Sequence, residues 1–193
     1  MRRAGLAMLA LAAFVAWRAY QDSNKTTGAL DALEVAGNLL GARMMGTQAS
    51  KMDISEKGLA MIAAREGFSA KRYKDADGYS IGYGHFIKQG EAFTEPMSEA
   101  TAREILRRDA QVAADAVRAY VKTEISQNQF DALASFAFNV GAGALKRSTL
   151  LAKLNGGDAT GAAQQFAAWN KSGGVVLAAL ITRRASEAQQ FTA

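Results

Sequence analysis

The stretch from Tyr73 to Phe86 constrains this chain more than any other. It sets glycines at 78, 82 and 84 among tyrosines and short polar residues, while the sequence on both sides repeats its apolar residues at helical spacing. Glycine disfavours a helix interior, and Asp77-Gly78 is a turn signal, so this stretch is expected to form a β-hairpin or a small three-stranded sheet. The rest reads as helix. Asp53-Ile-Ser-Glu56 resembles a capping box ahead of a helix that ends at Glu66-Gly67. A long helix capped by Ser98 runs to Tyr120, with Leu106, Ala110, Ala113, Val117 and Tyr120 on one face. Further helices are expected over Ser126–Asn139, Ser148–Asn155, Asp158–Trp169 and Leu177–Gln190, with no second sheet. The fold class is therefore α+β, mainly α.

Composition removes several kinds of chemistry. The 193 residues contain no Cys and one His, which excludes disulfide scaffolds, thiolate metal sites, Cys nucleophiles and multi-His metal centres. The net charge of +5 is uneven: residues 1–52 carry six Lys or Arg against three Asp or Glu, whereas residues 53–193 are nearly balanced. No nucleic-acid partner is expected, because the larger part lacks the basic excess such binding needs.

The early charge flanks an apolar run. Arg2 and Arg3 precede the uncharged segment Ala4–Trp17, and Arg18 follows it. A helix of that length spans about 21 Å against a hydrocarbon core of about 30 Å, so Arg18 must snorkel and Tyr20 must sit at the interface for the segment to span. Residues 1–20 are expected to be an uncleaved membrane anchor, with a cleaved signal peptide as the rival reading. The positive-inside rule puts Arg2 and Arg3 in the cytoplasm and the remainder outside it. Residues 21–52 read as a tether in which Leu30, Leu33, Leu40 and Met44 share a helical face and residues 46–51 form a linker. A compact domain is expected over residues 53–193.

Two carboxylates stand out in the glycine-rich region. Glu66 ends a helix, where the negative end of the macrodipole and partial burial disfavour charge, which suits a protonated general acid. Asp75 lies beside Lys74 on the neighbouring turn or strand and is expected to stay ionised. Carboxylates with split roles can cleave a glycosidic bond, one protonating the leaving oxygen while the other activates water or steadies the oxocarbenium-like transition state. Spacing alone also fits two solvated surface charges.

The wider string is more specific. Glu66-Gly-Phe-Ser-Ala-Lys-Arg-Tyr73-Lys-Asp75-Ala-Asp-Gly78-Tyr-Ser80-Ile-Gly82-Tyr-Gly84-His85 closely resembles the active-site segment of the phage-type lysozymes, glycoside hydrolase family 24. The resemblance continues through residues 126–141, 148–155 and 166–174 and through Arg183-Arg184-Ala-Ser-Glu187. It implies a small sheet lobe joined by a long helix to a larger helical lobe, with a sugar chain between them. It further implies Glu66 as general acid, Asp75 as second carboxylate and Ser80 where the family usually has Thr. Phe86, Phe138, Asn139 and Thr149 fall at substrate-binding positions, and either Arg183 or Arg184 would pair with Glu66. One departure matters: Gly78 to Ser80 is one step shorter than the family pattern, which would turn Ser80 away from the cleft unless the turn absorbs it.

The implied activity is cleavage of the bond between N-acetylmuramic acid and N-acetylglucosamine in peptidoglycan, with no metal or cofactor. His85 is expected to be structural. The implied partners are peptidoglycan glycan strands, the membrane through residues 4–20, and phage lysis or virion proteins. The implied location is the host inner membrane with the catalytic domain facing the periplasm, or the virion. A lytic transglycosylase and a non-catalytic peptidoglycan-binding virion protein are the alternatives.

Overall fold

The computed structural model describes residues 36–37, 48–75 and 78–193. The expected anchor over residues 4–20, the helical face of Leu30, Leu33, Leu40 and Met44, and Asp77 of the turn signal lie outside the described residues.

The packed body takes in residues before Asp53. A 3-10 turn, Gln48–Lys51, buries Ala49 completely, and the Gln48 side-chain oxygen accepts from the Ile125 N–H at 3.1 Å. Helix α1, Glu56–Glu66, is capped by Ser55, whose hydroxyl accepts from the Gly58 N–H. The cap is therefore Ser55 and not Asp53, whose carboxylate instead accepts from the Ile54 N–H and faces Arg118. Asp131, almost fully buried, accepts from both the Ser55 N–H at 2.9 Å and its hydroxyl at 2.5 Å. That ties the start of α1 to the middle of the helical body.

Three antiparallel strands follow in the order β1 (Ser69–Asp75), β2 (Gly78–Gly82) and β3 (His85–Phe86), so the expected sheet forms and starts four residues early. A register irregularity between Ser69 and Tyr73 bends β1. Helix α2, Glu99–Tyr120, is capped by Ser98 and buries Leu106, Ala110, Ala113, Val117 and Tyr120, as the spacing predicts. Its first turns carry the sheet, with Gly82 packed against Ala102 and Met97. Its remaining length packs against helix α3, Gln127–Val140, which a Ser126–Gln129 capping box starts.

Phe130, Leu133 and Phe136 of α3 have no exposure at all, and each contributes about 1.5–3 kcal/mol of apolar burial. Around them lie α4 (Ala142–Arg147), α5 (Thr149–Asn155, capped by Ser148), α6 (Ala159–Gln165) and α7 (Ala178–Thr192). Helix α4 is absent from the sequence reading, since six residues holding a glycine give little periodicity. The helix from Asp158 ends earlier than expected, and Phe166–Ala168 forms a 3-10 turn. That turn sets Phe166 edge-on to Phe136, at 5.5 Å between ring centres.

A second sheet corrects the expectation of only one. Strands β4 (Lys171–Ser172) and β5 (Val175–Val176) pair across Gly173-Gly174, both at positive φ, 56° and 81°. Two central residues at positive φ make the loop twist match the strands, which glycine permits at little cost. Among the described residues no helix is long and apolar enough to cross a membrane, and no three metal-ligating side chains converge.

Candidate active site

One face of the small sheet gathers Asp75, Ser80 and Phe86 of the expected residues. Tyr73 pairs with Ser80 and Asp75 with Gly78 across β1–β2, while Ser80 pairs with Phe86 across β2–β3. Alternation therefore puts Tyr73, Asp75, Ser80 and Phe86 on the same side. Ser80 is fully buried, and its hydroxyl donates to Asp75 Oδ2 at 2.6 Å. The shortened hairpin is thus absorbed without turning Ser80 away from Asp75. Phe86 lies across Gly78 so closely that a Cβ there would meet its ring atoms at 2.6 and 2.7 Å. Asp75 is 2% exposed and ends strand β1, the strand position of the two expected for it.

Glu66, the last residue of α1, meets Arg183 of α7, whose Nη1 donates to Oε1 at 3.0 Å. This settles which of the two arginines faces it. Arg183 also lies 3.3 Å from the Glu187 carboxylate through its Nε. Glu187 has no exposure, accepts from the Ser135 hydroxyl at 2.8 Å, and ion-pairs with Arg184 at 3.2 Å. Arg184 donates in turn to the side-chain oxygen of Asn139 at 2.5 Å, its guanidinium 4.9 Å from the centre of the Phe136 ring. Burial lowers the Arg184 pKa to about 10, with the Glu187 charge opposing the fall and the charges of Arg183 and Arg65 adding to it.

Tyr73 is a site residue that sequence reading missed. Burial pushes its phenol up to about 12, with the charges of Asp75 and Glu66 adding to the rise and a hydrogen bond to Ser80 opposing it. It is a neutral hydroxyl within the field of both carboxylates. The available signal was its place two residues before Asp75, on the same strand face. Asn139 joins the Glu66 network through Arg184 and Glu187, and the neighbouring Phe138 is half-buried against the core. Thr149 stands apart, exposed at the first turn of α5.

His85 belongs to neither carboxylate. Its ring nitrogens meet Asp109 at 2.7 Å and Glu91 at 3.0 Å, and its pKa is raised chiefly by the Asp109 hydrogen bond. A cavity of about 510 Å³ lies elsewhere, between α6 and α7, and of the Glu66 network only Arg184 reaches its wall. What the sheet face and the start of the Arg183 chain offer is two carboxylates in unlike settings, one on a guanidinium and one on a hydroxyl. That arrangement serves general acid and base chemistry.

Comparison with known proteins shows the family of the chain. The chain is 45% identical over 143 residues to the endolysin of Bacillus phage B103, covering 72% of this chain and 54% of that protein. The chain thus spans about half the length of the Bacillus phage relatives it matches. It is 39% identical over 126 residues to the SAR-endolysin of bacteriophage PS119, covering 63% of this chain and 73% of that one. The solved muramidase domain of SpmX from Asticaccaulis excentricus superposes with a TM-score of 0.67 at 37% identity, over 74% of this chain and 99% of that domain. The phage lysozyme family profile matches residues 63–187, a span that includes Glu66, the sheet and the Arg183–Glu187 segment, and the chain belongs to the phage lysozyme family.

Proposed function

We propose that this chain is a muramidase that hydrolyses the bond between N-acetylmuramic acid and N-acetylglucosamine in peptidoglycan. The observation that carries the reading is the buried Ser80 hydroxyl on Asp75 at 2.6 Å, on a sheet face whose Tyr73 also feels the charge of Glu66. The Glu66 carboxyl gives its proton to the glycosidic oxygen as the bond to the anomeric carbon breaks. Asp75, oriented by Ser80, takes a proton from water as that water bonds to the same carbon, and the proton returns through solvent to Glu66. Phe86 and Asn139 supply an apolar wall and an amide for the sugar, and the half-buried Phe138 and the exposed Thr149 are the further binding positions of this reading.

Residues 4–20 serve as a membrane anchor in this reading, leaving residues 53–193 to face the wall in the periplasm. Arg2 and Arg3 before an uncharged run support it, as does the naming of a relative as a SAR-endolysin. A role in host-cell lysis follows from the same relatives. The test is mass spectrometry of purified peptidoglycan after digestion by the full chain and by Glu66→Gln. Reducing sugar ends from the wild type, lowered at least about 100-fold in the variant, are the expected result. Anhydro ends would make it a lytic transglycosylase, and no new ends would make it a binder.

A further inference from the structure

Glu66, the general acid of this reading, sits 3.0 Å from the Arg183 guanidinium. The structure shows what moderates that guanidinium. Arg183 is shared between Glu66 and Glu187, and Glu187 is shared between Arg183 and Arg184. The four side chains alternate in sign from the site inward. Glu187 has no exposure, and its carboxylate is held by the Ser135 hydroxyl from the middle of α3. A fully buried carboxylate carries a desolvation penalty, and apolar packing could fill the same volume, so its presence calls for a task.

We infer that Glu187 is a positioning residue for the muramidase chemistry: it fixes Arg183 against Glu66 and offsets the positive charge that Arg183 presents there. The inference rests on the reading of Glu66 as general acid. Arg183 and Glu187 lie one turn apart on α7 and meet at 3.3 Å, so the arginine is held by Glu187 in the place where it also meets Glu66. Arg184, one residue along, holds the far side of Glu187 and is pinned by Asn139 and by the Phe136 ring. Among the described residues, Tyr73 from β1 feels both Asp75 and Glu66, and Arg65 from α1 acts on Arg184.

Two substitutions separate this role from plain structural support, because they change the field at Glu66 in opposite senses. In Glu187→Gln the Ser135 hydroxyl keeps an acceptor while the offsetting charge is lost. In Arg184→Gln the charge that competes for Glu187 is lost, so Glu187 offsets Arg183 more fully. The assay is the pH dependence of reducing-end release from purified peptidoglycan by the full chain, at fixed ionic strength, with thermal unfolding in parallel. The alkaline limb of kcat is expected to move to lower pH by about one unit in Glu187→Gln and to higher pH in Arg184→Gln. A limb that stays in place in folded Glu187→Gln, or shifts of the same sign in both variants, would overturn the inference. If Glu187→Gln does not fold, the direction seen in Arg184→Gln decides alone. A wild-type chain that releases no ends refutes the muramidase reading itself, which is a separate result.

Discussion

Gly78→Ala adds a single methyl group at the tip of the sheet, and the structure says where the damage falls. The new Cβ would lie 2.6 Å from Phe86 Cε2 and 2.7 Å from Cζ, whereas ordinary contact begins near 3.4 Å, so the ring must retreat by most of an ångström. Phe86 is half-buried and can swing outward, which keeps the stability cost at the low end of overpacking, about 1 kcal/mol. Reduced chain entropy in the unfolded state returns about 0.4–1 kcal/mol, so melting should fall by no more than about 4 °C. Activity should suffer far more. Gly78 pairs with Asp75, and Phe86 pairs with Ser80, so the displacement reaches the second carboxylate and its hydroxyl partner together. A misplacement near 1 Å can cost about 100-fold in rate. Phe86→Leu removes the two clashing ring atoms and retains the Cδ position, which is 3.8 Å from the new Cβ and needs no adjustment. A double-mutant cycle on Gly78→Ala and Phe86→Leu, read by thermal unfolding and by reducing-end release, should therefore show strong positive coupling in rate. Additive losses, or a melting drop above 10 °C from Gly78→Ala alone, would refute this account of the sheet face.

The His85 network should make stability depend on pH. Because Asp109 and Glu91 raise the His85 pKa above its ordinary 6.5, its contribution is complete below that value and is lost as pH rises through the raised folded value. Each unit of displacement corresponds to about 1.4 kcal/mol, so urea unfolding of wild type and His85→Asn should converge as pH rises from 6 to 9, and a constant difference would refute the role. At the other end of the chain, Leu9→Arg should cost about 2.5–3.5 kcal/mol of membrane insertion. Fractionation with protease protection should find the variant released from the membrane, and unchanged partitioning would remove the anchor.

Helices whose caps and apolar faces are local were legible in the sequence. Ser98, Ser126 and Ser148 each cap the helix expected after them, because a hydroxyl and a nearby N–H are all that a cap requires. The β4–β5 ribbon escaped because two-residue strands leave no alternation to detect, although Gly173-Gly174 was a usable hairpin signal. The choice between Arg183 and Arg184 was not local either. Adjacent helical residues point about 100° apart, so the rotation of α7 against α3 decides which one reaches Glu66. Tyr73 and Glu187 remained unseen for a related reason: each matters through what stands opposite it, across a ladder or between two helices.

Gln48–Lys51 gives the body a mechanical attachment point. Ala49 is locked into the core, Gln48 is bonded to Ile125, and Arg118 near the end of α2 donates to the Met52 carbonyl at 2.9 Å. Tension applied from the N-terminal side would therefore load the far end of the long helix before it reached β1–β3, leaving Asp75 and Ser80 at the unloaded end of the lever.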